Sequence, residues 1–234
     1  MIDWHSHILP GMDDGSRDTA ESISLINMQV SQGVGTIIAT PHYYANDETV
    51  DSFLDRRKKA FELLKTVLPA DAPDILLGAE VRYYQGISRM ADLEALTIEG
   101  SKLLLLEMPM SSWTEYMIRE LIEMSGRGSI KIIIAHIDRY LNLQKKGVLE
   151  RILESGILMQ VNASFFISFA SKRKALSLLK EGNIHFIGSD CHNTVSRPPR
   201  LDSAFRVIEK KFGEDYLNQM NEYGYFLLGS KNEF

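Results

Sequence analysis

The sequence has little that would place it outside the cell or in a membrane. A single cysteine, Cys191, among 234 residues excludes an intrachain disulfide and gives no support to an oxidising compartment. The longest apolar runs, such as residues 103–106 and 132–135, fall far short of the roughly 20 residues that a membrane span needs. The opening MIDWHSHILP has no basic segment followed by an apolar one, so it does not read as a secretory leader, and the cytoplasm is the expected location. There is no basic excess either. Lys and Arg number 26 against 31 Asp and Glu, a net charge of −5, which argues against a nucleic-acid binder built on a basic stripe. A small anionic substrate stays open, because a metal site brings its own positive charge. Internal repeats, low-complexity tracts and Pro/Gly/Ser-rich linkers are also missing. One domain over residues 1–234 is therefore expected, with ample apolar material for a core.

What is present is an alternation of short aliphatic runs and longer amphipathic stretches. The runs at 1–6, 34–40, 74–81, 102–107, 130–136, 157–162 and 184–189 read as strands buried on both faces, the mark of a parallel sheet. Helical spacing follows most of them. Ser16 and Asp18 precede Ile23, Ile26 and Val30, and further helical patterns lie at 51–68, 113–124, 149–153, 174–179 and 203–212. Seven strands, most followed by a helix, imply a closed or nearly closed TIM-like (β/α) barrel, with an open doubly wound sheet as the alternative. The run DRRKK at 55–59 reads as a solvated helix face, and the last twenty residues as a packed terminal segment.

The metal-capable side chains fall at the ends of those strands. His5 and His7 end the first, and Asp13 and Asp14 follow in the next loop. His42 lies two residues past the second, Glu80 and Glu107 close the third and fourth, His136 closes the fifth, and Asp190 and His192 close the seventh. The C-terminal rim is where active sites assemble in such barrels. Any one of these histidines could be an ordinary hydrogen-bonded residue, but their joint placement points to metal. Nitrogen and carboxylate donors without paired thiolates suit Zn, Mn or Fe ions, and the number of donors calls for two or three ions sharing carboxylates. Arg139 and Arg197 stand beside the same rim, where guanidinium forks can hold phosphate oxygens. Tyr43, Tyr44 and Trp113 could wall an aromatic substrate, although core packing is the plainer role for at least one of them. His185, inside the seventh strand, reads as structural. Cys191 lies between two suspected ligands but is turned away from them, with no base free to activate it.

These motifs resemble a known family. DWHSHILPGMDDGS, TPHY, GAEV, LLLEMP, IAHIDRY and GSDCHN match, in order, the motifs of the PHP (polymerase and histidinol phosphatase) metal-dependent hydrolases. HSHILPGMDDG and AHxxRY look like the CpsB/CapC-type protein-tyrosine phosphatases, which act with bacterial tyrosine autokinases in capsule and exopolysaccharide control. The resemblance spans roughly residues 1–200. It implies a distorted seven-stranded (β/α) barrel with three divalent ions. His5, His7, Glu80 and Asp190 would hold the first ion. A bridging Glu80 with Glu107 and His136 would hold the second, and Asp14, His42 and His192 the third. Manganese is implied as the usual ion, with Zn, Fe, Co or Mg as alternatives. Arg139 and Arg197 would bind the phosphate of a phosphotyrosine protein, attacked by a metal-bridging hydroxide, with His42 or a metal-bound water as conceivable acid. DCHN in place of DAHN, and HIDRY in place of HPERY, depart from the family pattern but keep the ligands and the arginine. A histidinol-phosphate phosphatase and a non-catalytic metal-stabilised kinase-docking module are the alternatives. Neither nucleic acid nor an inserted membrane segment is expected.

Overall fold

The protein is described here by a computed structural model covering residues 1–229. Strands and helices alternate: β1 (Ile2–Ser6), α1 (Thr19–Ser31), β2 (Thr36–Ala39), β3 (His42–Tyr43), α2 (Val50–Lys65), β4 (Asp74–Leu77), β5 (Glu80–Arg82), β6 (Leu103–Glu107), α3 (Glu115–Gly126), β7 (Lys131–Ile134), α4 (Val148–Glu154), β8 (Leu158–Asn162), α5 (Ser164–Ile167), α6 (Lys172–Lys180), β9 (Phe186–Gly188), α7 (Leu201–Phe212) and α8 (Glu214–Leu227). The strands pair in parallel throughout, as β1-β2-β4 in one sheet and β3-β5-β6-β7-β8-β9 in a second. Beyond the strands, Ser6 bridges to Cys191, and the Asp190 N–H donates to the His5 carbonyl at 2.8 Å, so β1 lies beside the exit of β9. The result is a curled parallel sheet with helices packed outside. No helix among the described residues is long and apolar enough to cross a membrane.

The expected count of seven strands is not what the pairing shows. The expected strand at 34–40 stops at Ala39 and resumes past Pro41 as β3, and the one at 74–81 breaks at Gly78–Ala79 into β4 and β5. Proline has no N–H to give to a ladder, so the run must break there. The ladder then steps across both breaks, with the Gly78 N–H on the Ala39 carbonyl (2.8 Å) and the Glu80 N–H on the Pro41 carbonyl (3.0 Å). A β-carbon at Gly78 would stand 3.2 Å from Ile98 and 3.3 Å from Thr40, which is why the bend carries glycine. The expected helices are all present. The short α5 was not anticipated, and the packed terminal segment is α8 as far as Leu227, with residues 230–234 outside the described range.

Alternation along the strands sorts the core. Leu104, Leu106, Ile132, Ile134, Met159 and Val161 belong to the larger apolar cluster, with Leu25, Phe53, Leu121 and Ile208 of the helices. The intervening residues, Leu103, Leu105, Ile133, Leu158 and Phe186, form a smaller cluster with Trp4 inside the curl. Trp4 stacks on Phe186, and Gly224 of α8 closes against it; a β-carbon there would lie 2.7 Å from the indole. The inner row is apolar only at the N-terminal ends of the strands. Two residues past Leu105 stands Glu107, and two and four past Leu158 stand Gln160 and Asn162. The same face that packs the core therefore delivers polar side chains to the rim.

His185 is structural, as expected: it precedes β9, and its Nδ1 accepts the Met159 N–H at 3.1 Å. Burial, followed by the nearby Lys131 charge, pushes its imidazolium pKa down to about 4. The unfolded chain takes up this proton near pH 6.5 and the folded chain only near pH 4, so stability is lost as pH falls through that window, by up to about 3 kcal/mol. His185→Gln is expected to lose less stability than the wild type between pH 7 and 4.5 in chemical denaturation. Equal losses in the two proteins would contradict this assignment.

Candidate metal centre

Most strand ends supply a donor, and many of the donors meet around one carboxylate. Glu80, the first residue of β5, is buried. Its Oε2 lies 3.2 Å from His5 Nε2, 3.3 Å from His7 Nε2 and 3.0 Å from His42 Nδ1, while Oε1 lies 2.7 Å from His136 Nε2. Asp190 approaches the first two imidazoles at 3.8 and 3.6 Å. Asp14 lies 3.3 Å from His192 Nε2 and 3.5 Å from His42 Nε2. All nine anticipated ligands are thus gathered, within four groups whose donor atoms lie inside 4.8 Å of one another. These are His5–His7–Asp190, His5–Glu80–His136, His42–Glu80–Glu107 and His7–Asp14–His42–His192. The expected trio of Glu80, Glu107 and His136 is divided between two of them, with His136 Nε2 3.9 Å from Glu107. The other oxygen of Glu107 accepts from Arg82 Nη1 at 2.8 Å.

The outer nitrogens decide what faces inward. His7 Nδ1 donates to Asp13 at 2.7 Å, His5 Nδ1 to Gln160 at 3.3 Å, and His192 Nδ1 to the Asp190 carbonyl at 3.1 Å. His136 Nδ1 donates at 3.2 Å to the Tyr140 hydroxyl, which itself donates to the Met108 carbonyl at 2.8 Å. With those protons committed outward, the Nε2 lone pairs of His5, His7, His136 and His192 point inward, as they do in metal-ligating histidines. His5 and His7 Nε2 stand only 3.1 Å apart, too close for both to carry a proton. His42 Nδ1 and His192 Nε2 are buried without any hydrogen-bond partner, and His42 Nδ1 has no hydrogen-bonding geometry toward the nearby Glu80. Converging lone pairs, buried carboxylates and orphaned nitrogens are what a cation would satisfy, so the residues fit a divalent-metal cluster.

The electrostatics agree. Burial disfavours ionised Glu80, yet His5, His136 and His42 outweigh it and hold the carboxyl well below its ordinary range. Burial likewise opposes a charge on His7, but its hydrogen bonds to the Asp13 and Glu80 carboxylates prevail and push it up to about 10. The carboxylates demand positive charge, from protons or from a metal. His192, with burial and the His7 charge against it, goes down to about 4 and offers a free lone pair. His136 (φ 33°) and Asp190 (φ 52°) are the non-glycine residues with left-handed backbone among those described, and both follow a strand exit of this rim. That conformation is held only where surrounding contacts enforce it, and it tends to mark functional sites.

Asp13 and Asp14 divide the work that sequence left open. Asp13 accepts from His7 Nδ1, from the His42 N–H (2.8 Å) and from the Gly15 N–H (2.9 Å), so it orients other residues; Asp14 faces the imidazoles of His42 and His192. Arg139 and Arg197 both pair with Asp190, Arg197 at 2.7 Å, and remain partly exposed at the rim. Tyr43 packs on Phe53, and Trp113 on Tyr140, both in the core. Tyr44 alone of the three aromatics is exposed, stacked on His42. Cys191 is buried, where burial and then Asp3 push its thiol pKa up, and it faces Gln29 at 3.5 Å. Sequence reasoning missed Gln160, Asn162, Arg82 and Tyr140. The first two carried a signal, polar residues in the otherwise apolar run ILMQVN.

A curled parallel α/β sheet whose C-terminal rim gathers histidines and carboxylates defines a metal-dependent hydrolase type of scaffold. Comparison makes this specific. The family described as "Capsular polysaccharide synthesis, CpsB/CapC" matches residues 1–223, and the chain belongs to that family. It is 34% identical to the tyrosine-protein phosphatase YwqE of Bacillus subtilis, covering 100% of this chain and 94% of that one. It is 32% identical to the tyrosine-protein phosphatase CpsB of Streptococcus agalactiae, over 94% of each. Its fold superposes with a TM-score of 0.81 and 30% identity, over 100% and 96% of the two chains, on a member of the crystal structures of Bacillus subtilis YwqE and Streptococcus pneumoniae CpsB, described as unique metal-dependent tyrosine phosphatases.

Because Asp13 fixes His7 and the entry of His42 together, Asp13→Asn is expected to weaken Mn²⁺ binding about 10- to 100-fold in calorimetry, although the residue itself faces away from the ion cluster. Unchanged affinity would contradict its positioning role.

Proposed function

We propose that this chain is a metal-dependent protein-tyrosine phosphatase of capsule or exopolysaccharide control, a phosphoric monoester hydrolase. The observation that carries the reading is the gathering of nine donor residues, Glu80 among them, into four overlapping groups, with two guanidinium groups on Asp190. The names of its relatives support the choice of phosphotyrosine over histidinol phosphate. The complete donor set argues against a non-catalytic docking module. Three divalent ions, Mn²⁺ before Zn, Fe, Co or Mg, would be held by His5, His7, Glu80 and Asp190; by Glu80, Glu107 and His136; and by Asp14, His42 and His192. We read the chain as one hydrolase domain, a distorted barrel of seven staves in which β2 runs on into β3 and β4 into β5. It would work in the cytoplasm on a phosphotyrosine protein such as a bacterial tyrosine autokinase.

Ions bound there supply positive charge and bring the pKa of bound water toward neutrality. The chain does the rest. Arg139 and Arg197, preset on Asp190, turn their free N–H groups to the phosphate and neutralise charge on its equatorial oxygens. Asn162 donates to the same Asp190 carboxylate at 2.8 Å and stiffens the clamp. His42, with Asp14 and Glu80 beside its two nitrogens, would serve as a ligand. A tyrosyl phenolate, with a conjugate-acid pKa near 10, leaves with less need of a proton than an alkoxide does. The buried Cys191 thiol takes no part.

Chelation is expected to abolish phosphotyrosine turnover, with recovery on adding Mn²⁺, while alkylation of thiols leaves the rate within about two-fold. Arg139→Ala is expected to lower kcat/KM about 100-fold or more. Turnover that survives chelator but dies on alkylation would overturn the reading.

A further inference from the structure

Two cavities flank the metal centre, and their linings differ in kind. The one on the Asp190 side, about 310 Å³, presents three guanidinium groups, Arg139, Arg197 and Arg200, against two carboxylates, Asp138 and Asp190, and no aromatic ring lines it. The one on the His42 side, about 490 Å³, is walled by Tyr44, Met12 and His42 and carries four carboxylates and the Arg56 guanidinium. The first suits an anion. The second is less suited to one, because four carboxylates, Asp13, Asp14, Asp47 and Glu48, line it against the single guanidinium of Arg56, which pairs with Glu48 at 2.9 Å. A phosphomonoester bound at the centre therefore has one favoured orientation, with its phosphate toward the arginines and its organic group toward Tyr44.

Tyr44 is built to receive that group. Its ring lies against His42 with centroids 5.3 Å apart and planes at 28°, which fixes it at the lip of the centre. The residue is 37% exposed, whereas Tyr43 and Trp113 are 1% and 4% exposed and committed to the core. Met12, buried beside it, adds a polarizable thioether of the kind that packs well on aromatic edges. We infer that Tyr44 and Met12 form an aryl subsite that takes the phenyl ring of phosphotyrosine from the His42 side while Arg139 and Arg197 hold the phosphate from the Asp190 side. This rests on the phosphatase reading above and gives that site its preference for aryl over alkyl phosphates. The ring face makes the contact, so the Tyr44 hydroxyl is dispensable.

The test is calorimetric binding of phenylphosphonate and methylphosphonate to the Mn²⁺-loaded protein, with metal content checked in each variant and phosphotyrosine turnover followed alongside. The wild type is expected to bind the phenyl ligand about ten-fold more tightly than the methyl ligand. Tyr44→Ala is expected to erase that preference while holding methylphosphonate at its wild-type affinity, and Tyr44→Phe to retain it. A wild type that binds neither ligand or shows no preference, or a Tyr44→Ala variant that keeps the preference, overturns the inference. So does a variant that weakens both ligands alike, since Tyr44 would then act only by propping His42. A phenyl preference lost in Tyr44→Ala but unaccompanied by phosphotyrosine turnover leaves the aryl subsite standing and sinks the phosphatase reading. Turnover without any phenyl preference does the reverse.

Discussion

One buried carboxylate facing four imidazoles is the constraint on which the rest of this structure turns. Glu80 has His5, His7, His42 and His136 within 3.3 Å of its two oxygens. Such a cluster is costly to bury and worthless to a core unless positive charge occupies it. The molecule meets that cost with outward hydrogen bonds to Asp13, Gln160 and Tyr140, which set the tautomers and aim the lone pairs inward. Gln160 links two ligands at once, since the oxygen that accepts from His5 also accepts the His136 N–H at 2.6 Å.

The fold exists in a form that makes this convergence possible. Parallel strands deliver all their C-terminal ends to one rim, and the kinks at Pro41 and Gly78 bring His42 and Glu80 side by side in register. Close backbone approach holds the rim together as well. A β-carbon at Gly188 would strike His5 at 2.5 Å, and one at Gly15 would strike His7 at 2.4 Å, so both first-strand histidines sit against glycine. The left-handed backbone of His136 and Asp190 belongs to the same economy of space: each turns sharply out of its strand so that its side chain re-enters the centre.

Much of this was legible from residue order alone. Strand ends could be located from apolar runs, and a histidine or carboxylate at nearly every end pointed to one rim. Spacing could not decide between the neighbours in DDG; the structure puts Asp13 on His7 Nδ1 and Asp14 beside the imidazoles of His42 and His192. Less was readable where a contact depends on curvature. Two-residue β3 is too short to carry a period, and the break at Gly78 looks like an ordinary apolar run. The hydrogen bond from Arg82 to Glu107 arises from cross-strand register between β5 and β6. Tyr43, Tyr44 and Trp113 look alike as letters. Only packing shows that Phe53 and Tyr140 claim two of them and leave Tyr44 at the lip.

The account stands or falls on whether cations occupy the space between these donors. Anomalous diffraction from crystals of the Mn²⁺-loaded protein addresses that directly. It should show peaks in the space between Glu80 and the Nε2 atoms of His5 and His7. Crystals prepared with saturating Mn²⁺ that show no anomalous density there, and His5 and His7 instead sharing a proton with Glu80 and Asp190, would contradict it.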